Sequence, residues 1–114
     1  MGGSACGCHH YPNIDIEFPD GSRKRPDISI FCEEPAEKGS IVKTVPDAVI
    51  EILSKDYEAK DREIGVPFYR SMSIRDIVLF DPRTGDILHV VDGVEHTLKS
   101  PAAVTMQCGC VCLV

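Results

Sequence analysis

The sequence predicts an α/β (α+β) fold, a mixed β-sheet core carrying one principal helix. Three observations lead there. Short apolar runs rich in Val and Ile recur along the chain, as in residues 47–53 and 76–80. Turn signals of Pro, Asp and Gly separate them, at Pro19-Asp20-Gly21-Ser22, Asp81-Pro82-Arg83-Thr84-Gly85-Asp86 and Asp92-Gly93. Only one stretch, residues 55–64, has the composition of a helix.

Taken in order, residues 1–12 read as a flexible tail containing Cys and His, and residues 13–114 as a single domain. Residues 13–18 alternate as a strand, with Ile14, Ile16 and Phe18 on one face and Asp15 and Glu17 on the other. The turn at residues 19–22 leads into a strand at 26–32, so residues 13–32 read as a hairpin. Residues 33–43, rich in charge, Pro and Gly, read as a loop. Residues 47–53 form a central strand, with Asp47, Val49, Glu51 and Leu53 to one side and Ala48, Ile50 and Ile52 to the other. Ser54 is placed to cap the helix that follows. Gly65-Val66-Pro67 then weakens or kinks that helix, because Pro67 lacks an N–H and crowds the preceding turn. A strand at 76–80, a hairpin of 87–91 with 94–98, and an extended segment at 104–114 complete the chain.

The chain has 114 residues and a net charge of −6, which argues against an open, nonspecific nucleic-acid binder. A metal-dependent nuclease stays compatible, since bound cations neutralise part of its acid. No apolar run approaches the roughly 20 residues of a membrane span. The first residues lack the basic and apolar regions of a signal peptide, so the expected compartment is the cytoplasm. The basic cluster Arg23-Lys24-Arg25 reads either as a solvated turn or as a phosphate contact.

Six cysteines are spread unevenly: Cys6 and Cys8 open the chain, Cys108, Cys110 and Cys112 close it, and Cys32 is internal. Three readings stay open. They are core or free thiols, a zinc site at the termini with His9 and His10 nearby, or disulfides. Cys108, Cys110 and Cys112 also fit one face of a strand together with Val104, Met106 and Val114.

A lone carboxylate, Glu51, sits between Ile50 and Ile52, and burying it is costly unless it is paired, hydrogen-bonded or bound to a cation. A second segment of the same design, Arg25-Pro26-Asp27-Ile28-Ser29-Ile30-Phe31, lies upstream. Two acids on two apolar strands suggest a divalent-cation site.

The ordered set Pro19-Asp20-Gly21, Arg25-Pro26-Asp27-Ile28-Ser29, the stretch from Val45 to Ser54, Asp61, Tyr69 and Asp76-Ile77-Val78-Leu79-Phe80-Asp81-Pro82 resembles the Uma2 family. That family is a restriction-endonuclease-like branch of the PD-(D/E)xK nuclease superfamily. The resemblance runs from about Ile14 to Leu98 and implies a Mg²⁺-dependent (or Mn²⁺-dependent) DNA endonuclease on a restriction-endonuclease-like sheet. By position it assigns Asp27 and Glu51 as metal ligands, with the Ile52 carbonyl as a further one. Asp47, Ser54 and Asp61 fall around them, and Arg23, Lys24 and Arg25 become phosphate contacts.

Two departures follow from the same resemblance. The strand lysine of "ExK" is replaced by Leu53, and the helix position that usually carries the family's lysine is Gly65. Lys55 and Lys60 are the nearby substitutes, but Lys60 lies about 140° around an ideal helix from Gly65 and reaches the acids only if the helix is rebuilt. Relative to the family the chain is also N-terminally truncated, which predicts a bare sheet face inviting a homodimer or a protein partner. Two further function classes therefore stand beside the nuclease: a catalytically degenerate binding or assembly module, and a zinc- or thiol-centred protein.

Overall fold

The computed structural model describes residues 8–36, 41–54 and 60–114. Among these residues the strands are β1 (His9–Pro12), β2 (Asp15–Glu17), β3 (Arg23–Lys24), β4 (Ile28–Phe31), β5 (Ile41–Val42), β6 (Ala48–Ile52), β7 (Asp76–Asp81), β8 (Asp86–Val91), β9 (Val94–Lys99), β10 (Ala103–Thr105) and β11 (Val111–Leu113). A wide π-helical turn at Asp61–Gly65 leads into the short helix α1 (Val66–Ser71). No described helix is long and apolar enough to cross a membrane.

Six strands make the main sheet, in the order β1-β4-β6-β7-β8-β9. The β6–β7 pair is parallel and spans the helical crossover, and the other pairs are antiparallel. The period-two pattern divides the core between the two faces. Val49, Leu53, Ile77, Leu79, Leu88 and Val90 pack on one side with Ile16, Phe18, Val42 and Tyr69. That layer is built by the small sheet β3-β2-β5 and by α1. Ile30, Ala48, Ile50, Val78 and Ile87 pack on the other side against Val104, Met106, Cys110 and Cys112 of the β10–β11 hairpin. The side assignment read for residues 47–53 therefore holds for the members of these two cores.

Four local expectations are corrected. Residues 9–12 are not a loose tail: they form an edge strand paired with β4, held by the ladder and by Tyr11 packing edge-on against Phe31 with centroids 5.8 Å apart. Residues 13–32 are not one hairpin. Strand β2 folds back onto β3, and β4 belongs to the main sheet. Pro26 stands between β3 and β4 and supplies no N–H to continue a ladder. Within the stretch read as a loop, Ile41–Val42 pairs parallel to β2. Finally, residues 104–114 are not one extended segment, because the chain reverses around Gly109, whose φ of +91° suits a residue without a side chain. The hairpin keeps the expected inward face and covers part of the sheet face expected to be bare. Ile52 and Leu113 stay half exposed at its edge, 47% and 55%.

A buried polar pair ties the layers together. His89 Nε2 lies 2.7 Å from Asp76 Oδ2, and Asp76 Oδ1 accepts the Gln107 N–H at 2.9 Å. The second bond anchors the β10–β11 turn to the main sheet.

Candidate active site

The β4–β6 ladder pairs Ile28 with Ile50, Ser29 with Val49 and Ile30 with Ala48. One further step in that register sets Asp27 opposite Glu51. Residues opposed across an antiparallel pair share a face, here the face of Val49 and Leu53, toward the small sheet and α1. The two acids also bind each other's strand. Glu51 Oε1 accepts the Asp27 N–H at 3.0 Å, and Asp27 Oδ2 accepts the Ile52 N–H at 2.7 Å. These bonds fix both carboxylates where the ladder ends and offset the desolvation of Glu51, which is only half-buried.

Glu51 lines a cleft of about 200 Å³ together with Lys24, Arg25, Lys60, Ile64, Gly65, Phe68 and Tyr69. The presence of both Lys60 and Gly65 in that wall traces to the π-helical turn. Pro67 has no N–H to donate to the carbonyl four residues back, so a regular helix cannot run through it. The chain instead takes the wider turn at Asp61–Gly65 before α1 begins. The carbonyl oxygen of Lys60 then lies 3.9 Å from where a Cβ on Gly65 would stand. The 140° offset of an ideal helix does not apply, since a π-turn closes i to i+5.

The basic cluster is divided between the outer surface and the cleft. Arg23 reaches outward to Glu17 at 3.4 Å. Arg25 pairs with Asp15 at 3.1 Å, Lys24 Nζ sits 4.9 Å above the Phe68 ring, and both line the cleft. Ser54 is exposed just past β6. Lys55 and the side chain of Asp61 lie outside the described residues.

Asp47 is directed elsewhere than expected. It shares a face with Glu51 but lies four residues away, about 13 Å along a strand. Its Oδ1 accepts Arg75 Nη2 at 2.9 Å and its Oδ2 accepts the Cys32 N–H at 2.6 Å. Asp47 thus supports the opposite end of the sheet. The cysteines are regrouped there too. Cys32, the internal cysteine, joins Cys8, Cys108 and Cys110, whereas Cys112 is buried opposite Val104. Cys6 lies outside the described residues. Burial pushes the Cys32 thiol up to about 12, reinforced by its hydrogen bond with Cys108 and the negative charge of Asp47. Cys32 follows β4, where the β1 register sets it opposite Cys8, and no local sequence signal marked that meeting. Phe68 and Ile64 carried no sequence signal as cleft residues, since apolar side chains on a helix read as core.

Three comparisons bear on this geometry. No curated protein matches the sequence. A solved structure that the fold resembles is described as "Crystal structure of a putative nuclease belonging to DUF820 from Anabaena variabilis ATCC 29413", with 21% identity and a TM-score of 0.71. The likeness covers 87% of this chain and 59% of that one, so the chain spans 59% of that protein's length. At this identity it shows the fold alone, a nuclease-like mixed sheet. The family described as "Putative restriction endonuclease", Uma2, matches residues 6–104. With that match running over most of its length, the chain belongs to the Uma2 family.

Proposed function

We propose that this chain is a Mg²⁺-dependent endonuclease that hydrolyses DNA phosphodiester bonds, with Asp27 and Glu51 as its metal-holding acids. The observation that carries the reading is their opposition at the end of the β4–β6 ladder, with Glu51 in a cleft walled by three cations. The donor set fits a hard ion: two carboxylates and the neighbouring Ile52 carbonyl are oxygen ligands of the kind Mg²⁺ or Mn²⁺ takes, alongside waters and phosphate oxygens. Bound there, the ion supplies Lewis-acid polarisation of the phosphate and a more acidic water.

The chain's own residues do the rest. Lys24 and Arg25 attract and orient the phosphodiester backbone, which offsets the acid balance of the whole chain locally. Lys60, on the cleft wall beside Gly65, puts an ammonium where charge develops on the attacked phosphate. Phe68 and Tyr69 form the apolar part of the wall and limit water in the cleft. Asp27 and Glu51 each spend one oxygen on a backbone N–H, which holds them in place for an incoming ion.

One observation favours a second reading, a binding or assembly module that kept the acids. Gly65 stands where the family's lysine is expected, and the mutual backbone bonds of Asp27 and Glu51 are by themselves a structural role. The two readings separate in one experiment. Wild type and Glu51→Gln, which keeps an acceptor for the Asp27 N–H, are titrated with Mg²⁺ and Mn²⁺ by calorimetry and incubated with supercoiled plasmid. The nuclease reading expects nicking by wild type and its loss, with the metal affinity, in Glu51→Gln at unchanged melting temperature. Metal binding without nicking by wild type supports the module instead.

A further inference from the structure

We infer that Cys8, Cys32, Cys108 and Cys110 form a closed structural zinc site that fastens the N-terminal edge strand to the C-terminal hairpin. The sulfurs converge from three separate parts of the chain. Cys8 precedes β1 and Cys32 follows β4, and one step beyond the β1–β4 ladder sets the two opposite each other. Cys108 and Cys110 flank Gly109 at the tip of the β10–β11 turn, where the Met106 N–H donates to the Cys110 carbonyl at 2.7 Å and the Gly109 N–H to the Met106 carbonyl at 2.9 Å.

The spacing of Cys8, Cys32 and Cys108 matches three corners of a tetrahedral thiolate site. With Zn–S near 2.3 Å, the edge of a ZnS₄ tetrahedron is about 3.8 Å. Cys8 Sγ stands 3.8 Å from Cys32 Sγ and 3.7 Å from Cys108 Sγ, and the three sulfurs lie within 4.8 Å of one another. Cys110 completes the set through its bond to Cys8, their Cα atoms 6.8 Å apart at the outer edge of the usual disulfide range. Among the described residues, Cys8, Cys32 and Cys108 are the side chains of potential metal ligands that gather in a group of three.

The surroundings are those of a metal site as well. Four thiolates around Zn²⁺ leave a charge of about −2, and Arg75 Nη2 lies 3.7 Å from Cys32 Sγ. Asp47 holds that guanidinium and also accepts the Cys32 N–H, so it fixes both the ligand and its counter-charge. Asp76 pins the other half by accepting the Gln107 N–H next to Cys108. Cys8, Cys32 and Cys108 are partly exposed, which gives an ion a way in.

The chemistry balances with a thiol-class reductant. Two reductant thiols give two electrons and two protons to the Cys8–Cys110 bond and become a disulfide. Zn²⁺ then displaces four thiol protons. In an oxidising medium the same place is closed by the Cys8–Cys110 bond instead. With four protein ligands the site has no open position, so its role is to hold β1 and the β10–β11 turn together rather than to catalyse.

The test uses the full chain purified under a phosphine reductant without chelator. Atomic emission is expected to find about one zinc per chain. Replacement by Co²⁺ should give intense thiolate charge-transfer absorption and tetrahedral ligand-field bands. Cys32→Ser and Cys108→Ser should lose the zinc, whereas Cys112→Ala and Glu51→Gln keep it. Chelation of the reduced wild type should lower its melting temperature. The proposal is overturned if reduced wild type takes up Co²⁺ with only the weak spectrum of an octahedral oxygen site, a result independent of how any variant folds. It is equally overturned if Cys32→Ser folds and retains the zinc.

Discussion

Gly65→Lys should stabilise the protein and raise plasmid cleavage at once. The backbone at Gly65 is already helical, φ −65° and ψ −49°, so a side chain brings no strain there. A Cβ would stand 3.9 Å from the Lys60 carbonyl oxygen and 4.0 Å from Tyr69 Cε2, ordinary van der Waals contact. Removing a glycine from a helical position recovers about 0.7 kcal/mol. In a chain of this size that is about 2–4 °C in melting temperature. The new ammonium would enter the cleft that Glu51 lines. A single positioned donor at a developing charge contributes about 10²-fold. Thermal melts, together with nicking rates in Mg²⁺ for wild type, Gly65→Lys and Gly65→Ala, read the two effects separately. Alanine should give the stability without the rate. A lower melting temperature in both variants would refute the reading of the space at Gly65. A raised melting temperature with no gain in rate would refute the placement of the reacting phosphate in this cleft.

Three other outcomes follow from the packing and the charges. His89→Ala strips Asp76 of its buried partner and leaves it the Gln107 N–H, so urea unfolding should show a loss of about 3 kcal/mol; a loss below about 1 kcal/mol would remove the pair from the list of stabilising contacts. Gly93 has φ +79° in the turn between β8 and β9, and a Cβ there would come within 2.6 Å of Arg70 Nη2, so Gly93→Ala should cost about 1–2 kcal/mol by chemical denaturation, with Gly93→Asn milder. The hydrogen bond from Arg83 holds the Asp81 carboxyl below its usual value of 3.8, and Lys99 does the same for Asp86. A carboxyl lowered on folding stabilises above its unfolded value and loses that contribution as the pH falls through its folded one. Stability should therefore begin to fall below about pH 4, and Asp81→Asn should flatten the stability curve in that window.

The local pattern of the sequence was enough for the strands at 47–53 and 76–80, the Asp92-Gly93 hairpin and the two faces of the 47–53 strand. Each depends on side-chain alternation or on a two-residue turn, information carried by neighbours in the chain. Alternation also put Glu51 and Leu53 on one face, and the family resemblance singled out Asp27 and Glu51. Their direct opposition needed the β4–β6 register, a contact between residues 24 apart in sequence. Only the tertiary structure decided the rest. Residues 9–12 carry no strand signal of their own and become β1 because the edge of β4 is there to pair with. Lys60 reached the wall of the cleft because Pro67 withheld a donor and the helix widened, a backbone adjustment that an ideal 3.6-residue repeat excludes. Asp47 was drawn to Arg75 and Cys32 at the far end of β6, since a carboxylate goes to the nearest donors and alternation says nothing about distance along a strand. Cys32 met Cys8 and Cys108 across separations of 24 and more residues because sheet register and a hairpin tip brought them together, and spacing along the chain does not encode that meeting.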